Sequence, residues 1–153
     1  MERNRCLQGI RRKAQDYHDK RDALKEAAAS AYKEYGEDSR EYARCREEFL
    51  QLGACPVPEG EKAACRAEDM TLYRGSSEFE MEDSLWDKDV HDFVSTLRKA
   101  GIRTFVYTSR SSNALMNLCA FAEEGCRIGE VCTLRHKDNM HSPDVKGLRI
   151  HVS

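Results

Sequence analysis

Thr108-Ser109-Arg110-Ser111-Ser112 follows the strand-like run GIRTFVY and precedes the apolar stretch NALMNLCAF, so hydroxyls cluster where a strand hands over to a helix. Hydroxyls there suit two jobs: holding a phosphoryl group beside the first helical amides, or accepting from those amides as a cap. Cys126, Cys132, His136 and His141 fall within sixteen residues and are metal-ligand types, with Cys132 and His136 on one side of an alternating strand. No C-x-x-C knuckle accompanies them, and structural zinc sites usually draw on such knuckles. Seven cysteines and five histidines also offer nucleophiles and bases. A catalytic thiol needs a neighbour that lowers its pKa, and no local signature selects a pair. No residue is therefore nominated as catalytic or metal-ligating, and no cofactor is expected.

The helical ending LRKAGI, the strand after it and Thr108-Ser109 resemble the second motif of haloacid dehalogenase-like phosphatases, where a Thr or Ser binds the transferred phosphate. That resemblance implies a small phosphatase-like hydrolase. The family also needs an Asp-x-Asp pair after an earlier strand. Asp87-Lys88-Asp89 has the spacing, but no apolar strand precedes it and no acidic pair follows downstream. A glycine-rich cradle is missing too. Ser109, Ser111 or Ser112 is expected to cap the helix instead.

Two charged surfaces carry more weight. Residues 78–92, EFEMEDSLWDKDVHD, hold seven acids and one base with aromatics interleaved. They read as a docking surface for a basic groove on a protein partner, with Glu78, Phe79, Glu80, Glu82, Asp83, Trp86 and Asp87 as contacts. The second surface is a sheet face. If Ile102, Thr104 and Val106 face the helices with Leu134, Leu148 and Ile150, the other face shows Arg103, Phe105, Tyr107, Arg135, Arg149 and His151. Rings among arginines suit single-stranded RNA or DNA, because bases stack on rings and guanidinium groups meet phosphates. The competing expectation covers Phe105 and Tyr107 with the first helix.

The elements that position these residues follow from periodicity. Leu7, Ile10, Ala14, Tyr17, Arg21, Leu24, Ala28, Ala31 and Tyr35 advance by three and four without a break, a heptad seam with one polar intruder at Arg21. Gly36 ends this helix; Asp38 or Ser39 caps a second, carrying Tyr42, Cys45, Phe49 and Leu52. The short connection makes an antiparallel hairpin over residues 1–54. At 1.5 Å per residue the helices are about 45 Å and about 20 Å long. Leu7, Ile10, Ala14 and Tyr17 thus need a partner elsewhere: the second half of the chain, another protein, or a second copy in a homodimer through the N-terminal helix.

Pro56 and Pro58 close the hairpin, and residues 55–83 read as a linker with a short helix or edge strand. Residues 84–153 read as a sheet-and-helix domain. A helix capped by Ser84 and Asp87 runs to Gly101, a strand covers 102–108, a helix 111–124, and strands 127–136 and 146–152 flank the polar loop DNMHSPD. The fold class is α+β: an N-terminal antiparallel helical hairpin followed by a small three-stranded sheet with two or three helices.

The chain has 153 residues with 25 Lys+Arg against 27 Asp+Glu, so net charge alone nominates no nucleic-acid partner. No apolar run reaches the roughly 20 residues that cross a bilayer, and MERNRCLQGIRRK lacks a secretory apolar core, so a cytoplasmic protein without a membrane partner is expected. The cysteines read as reduced thiols.

The run W-x3-V-x2-F-x3-L, followed by AGIRTFVYTS and EEGC over residues 86–126, resembles a family of small α/β proteins carried on bacterial plasmids and conjugative elements. The resemblance brings no catalytic residues. It implies an accessory protein of mobile DNA, a class that includes anti-defence and anti-CRISPR inhibitors. The expected function is accordingly non-enzymatic: a regulator or inhibitor that docks on a larger nucleic-acid-processing protein.

Overall fold

A computed structural model describes residues 2–137 and 143–152. These divide into two compact units, Arg11–Val57 and Met1–Ile10 with Pro58–Ser153. The α+β class is what the chain adopts.

The first unit is the hairpin. Helix α1 spans Glu2–Tyr35 and helix α2 spans Arg40–Leu52. Gly36, at φ +90°, turns the chain in a region that side-chain-bearing residues avoid. Ser39 caps α2: its Oγ accepts from the Tyr42 amide at 3.1 Å and donates to the Gly36 carbonyl at 2.8 Å. Tyr32 and Tyr42 then meet edge to face at 5.3 Å. The seam turns inward as far as Ala31, which is buried, with Tyr17, Leu24 and Ala28 half-buried, whereas Tyr35 is exposed; Tyr42, Cys45, Phe49 and Leu52 of α2 are half-buried. Tyr17 was expected to lack a partner here, yet its hydroxyl donates to the Gly53 carbonyl at 2.7 Å. The chain just past α2 reaches further down α1 than helix length alone suggests.

The second unit holds helix α3 (Glu59–Arg74), strand β1 (Glu80–Met81), helix α4 (Asp87–Lys99), strand β2 (Thr104–Tyr107), helix α5 (Ala114–Glu123), and strands β3 (Arg127–Leu134) and β4 (Val145–His151). The sheet order is β1-β2-β4-β3, with β1 parallel to β2 and the other pairs antiparallel. The two-residue β1 makes it a four-stranded sheet. Residues 55–83 therefore carry a 16-residue helix and an edge strand.

Opposed residues of paired strands share a face, so the register sets the core. Phe105 lies opposite Ile150 and Tyr107 opposite Leu148. Phe105 meets Phe93 of α4 at 5.6 Å and Phe121 of α5 at 5.3 Å, each edge to face. Burying each such ring is worth about 1.5–3 kcal/mol. Leu7, from the first turns of α1, is fully buried in this cluster, and Ile10 packs against it. That supplies the burial the periodicity demanded.

Two helix starts differ from expectation. α4 begins at Asp87 with Trp86 at the cap position and no side-chain cap bond, so Ser84 and Asp87 form no capping box; Asp87 Oδ1 instead accepts from the Lys88 amide at 3.1 Å. α5 begins at Ala114, and the serines before it bond loop amides, Ser109 Oγ to Ser111 N and Ser111 Oγ to Asn113 N, both at 3.3 Å.

Candidate functional site

The acidic segment is largely neutralised by its own chain. Glu78 accepts from Arg149 Nε and Nη2 at 2.9 and 2.6 Å. Phe79 is buried beneath the Arg3 guanidinium, 5.1 Å from its centroid. Glu80, expected in water, is fully buried: Arg74 Nη1 donates to Oε1 at 2.7 Å and His136 Nε2 stands 2.9 Å from Oε2. Glu82 pairs with Arg74 at 2.7 Å and Asp83 with Arg66 at 3.2 Å. Trp86 and Asp87 remain exposed without a cationic partner among the described residues. Glu80 is turned into the protein by strand alternation, and arginines from α3 and β4 stand beside its neighbours.

The aromatic platform takes the opposite phase to the one expected. Phe105 and Tyr107 lie on the helix-covered face with Ile150, while Val106, Arg149, Thr104 and His151 share the other. Arg103 and Arg135 are exposed, and among the described residues no aromatic ring is stacked on either. Arg149 also donates to Glu130, and His151 Nε2 lies 3.7 Å from the same carboxylate. The Glu78 and Glu130 carboxylates hold the Arg149 guanidinium above its ordinary pKa. Stacking rings and free arginines, the two needs of a single-strand platform, are not presented together.

The third cluster lies where β1 and β2 end. Pro143 O faces His136 Nδ1 at 3.0 Å. A carbonyl can only accept, so Nδ1 donates there. The bond to Glu80 then requires a further proton, held between Nε2 and Oε2. Both Glu80 oxygens are engaged, and the imidazole side chain is 1% exposed, so the pair ties β1 to the chain beyond β3. Beside it lies a hollow of about 350 Å³ edged by Thr108, Arg110, Glu82 and Val145. Thr108 Oγ1 is out of water with no hydrogen-bond partner among the described residues. No group of three or more His, Cys, Asp or Glu among the described residues can hold a metal ion. Cys126 is buried, which raises its thiol pKa despite Arg98 nearby; Cys132 is half-buried on β3. His141 lies outside the described residues, as does most of the loop DNMHSPD.

A groove that the sequence marked only by its acidic residues runs between α3 and β1. It is a groove of about 430 Å³ whose exposed apolar surface comes from Met70 and Tyr73, over the buried Ala67 and Met81, with Glu82 and Asp83 on its rim. Tyr73 is 82% exposed, a large ring left in water. The β1 carbonyls at 79 and 81 accept from Val106 N and Thr108 N at 2.8 and 3.0 Å. Alternation turns the polar groups of Glu80 and Glu82 the other way. Thr71 Oγ1 accepts from Glu80 N at 3.0 Å. Glu80 is wholly buried, so the only backbone group this edge turns to the groove is at Glu82, whose N–H has no partner among the described residues.

The sequence of residues 63–149, which contains this groove and all four strands to Arg149, matches the family described as Domain of unknown function (DUF7698). The chain belongs to that family. The match begins within α3, so the DUF7698 region excludes the hairpin. No curated protein and no solved structure matches the chain. No described helix is long and apolar enough to cross a membrane.

Inside the DUF7698 region, Asn117 went unmarked by sequence. Its Oδ1 accepts from Leu85 N at 3.1 Å and Tyr107 Oη at 2.8 Å, and its Nδ2 donates to Leu85 O at 2.7 Å. The partners fix which amide atom is oxygen. Burial meanwhile raises the Tyr107 phenol pKa. An Asn inside an apolar helix, ALMNLCAF, is the signal that could have found it.

Proposed function

We propose that this protein works by binding a protein partner, taking an extended segment of that partner in the groove between α3 and β1 and pairing it with the Glu82 backbone. The observation that carries the reading is the groove beside β1, where the exposed Met70 and Tyr73 of α3 line the same hollow as Glu82, whose N–H has no partner among the described residues. In strand addition the backbone bonds give affinity and flanking pockets select side chains. Glu82 and Asp83 at the rim favour a partner segment with basic residues, although Arg74 and Arg66 offset part of their charge. A basic segment of a nucleic-acid-processing protein fits that chemistry, and regulation or inhibition of such a protein, in the mobile-element setting the sequence resembles, belongs to the same proposal. Of the acidic docking set, Glu82 and Asp83 stay, Met70 and Tyr73 join, and the buried Glu80 drops out.

The test uses an extended peptide of alternating valine and lysine, titrated by fluorescence anisotropy against the full chain. N-methylation of alternate amides in one phase should abolish binding, and in the other phase should leave it intact, since a single edge of the peptide meets β1. Tyr73→Ala, and the charge-neutral pair Glu82→Gln with Asp83→Asn, should each weaken binding by roughly tenfold. Equal binding by both N-methylated phases would exclude strand addition.

A further inference from the structure

The hairpin carries a second surface, outside the strand-edge reading. Helix α2 has no buried residue, and Leu50 is 71% exposed. Two hollows on the hairpin, about 650 Å³ and about 240 Å³, are both lined by Phe49 and Leu50, so one apolar strip continues from one to the other. Ala28 and Ala29 line the larger, and such small side chains leave depth for a partner's large ones.

The charges on this strip have one sign. Lys25 and Arg46 line the larger hollow and Arg21 the smaller, while no Asp or Glu lines either. Lys25 and Arg46 form no ion pair among the described residues; Arg46 lies over the Tyr42 ring at 5.8 Å. Arg21 is the polar intruder in the heptad seam. Its Nε is shielded from water without a hydrogen bond among the described residues, and Asp22 Oδ1, at 3.7 Å, is within ion-pair reach but too far to accept. A guanidinium nitrogen in that state lacks a hydrogen-bond acceptor.

We infer that the hairpin is a docking groove for an amphipathic helix of another protein, with an apolar stripe that meets Phe49 and Leu50 and acidic flanks that meet Arg21, Lys25 and Arg46. The occupant is a helix because two helices side by side form a trough that a third fills, with anchors at i, i+3, i+4 and i+7. α2 has 13 residues, about 20 Å, which matches a partner helix of about four turns. A second copy is the weaker occupant: a two-fold axis through the strip would bring the same three cations of both chains together.

The probes are two synthetic helical peptides, each about 14 residues or four turns long, with the same leucine stripe and either glutamate or lysine flanks. Anisotropy titrations against the full chain should show the glutamate peptide binding roughly tenfold or more tighter, with an affinity that falls as salt rises. Lys25→Glu with Arg46→Glu should reverse the preference, and Arg21→Gln should weaken the glutamate peptide alone. Circular dichroism checks that these variants keep their helix content. If the double variant does not fold, the two-peptide comparison on the unaltered chain decides. Equal affinity for both peptides, or binding of neither, would overturn the proposal. So would a dimer in sedimentation that Leu50→Glu dissolves, because the occupant would then be a second copy.

Discussion

Asn117 does at residue scale what no periodicity announces. It joins Leu85, the residue before the cap of α4, to Tyr107 at the end of β2, and every one of its hydrogen bonds is buried. Asn117→Ala leaves Leu85 N–H, Leu85 C=O and the Tyr107 hydroxyl without it. With roughly 1–3 kcal/mol for each buried group left unpaired, the loss should be about 3 kcal/mol or more. Asn117→Asp should also destabilise, because it turns a carboxylate oxygen toward the Leu85 carbonyl. Urea unfolding measures both, and midpoints within error of the unaltered chain would refute the role. Glu80 and His136 explain why such residues stay hidden in a sequence. They lie 56 positions apart, and only the folded chain brings them within bonding distance.

Periodicity worked at element scale where one spacing decides the face, and failed where two phases are allowed. The hairpin seam, the Ser39 cap and the inward set on α2 could be read because a helix has one apolar stripe. On β2 both alternating sets, Thr104 with Val106 and Phe105 with Tyr107, contain apolar residues, and the pairing of Phe105 with Ile150 chooses between them. The edge strand escaped a firm reading because two residues carry no period at all. Gly60 is a further case. A Cβ there would come within 2.3 Å of Asp89 O and 2.6 Å of Phe93 N, so α3 crosses the backbone of α4 at contact distance. Helix propensity alone makes Gly60→Ala a gain of about 1 kcal/mol. The crossing predicts the opposite sign: the helices must move apart, at a cost of about 1–3 kcal/mol for overpacking. A raised melting temperature for Gly60→Ala would mean the crossing is looser than described.

At the scale of the whole chain, the two units differ in how fully each encloses its apolar surface. One surrounds Phe93, Phe105 and Phe121 completely, whereas α2 in the other has no buried residue. Local opening follows buried contact, so native-state hydrogen exchange should separate them. Amides of Phe105, Val106 and Ile150 should exchange near the rate of global unfolding, and those of α2 should exchange roughly a hundredfold faster or more. Equal protection would mean that something not visible in the hairpin holds it. The glutamate-flanked peptide sharpens the measurement, because a ligand that binds only the closed form suppresses opening in proportion to its saturation. It should slow exchange along α2 and along α1 from Tyr17 to Tyr32 while leaving Phe105 and Ile150 unchanged. The valine-lysine peptide should instead slow exchange at Glu82, whose amide faces the free edge of β1, and leave α2 as it was.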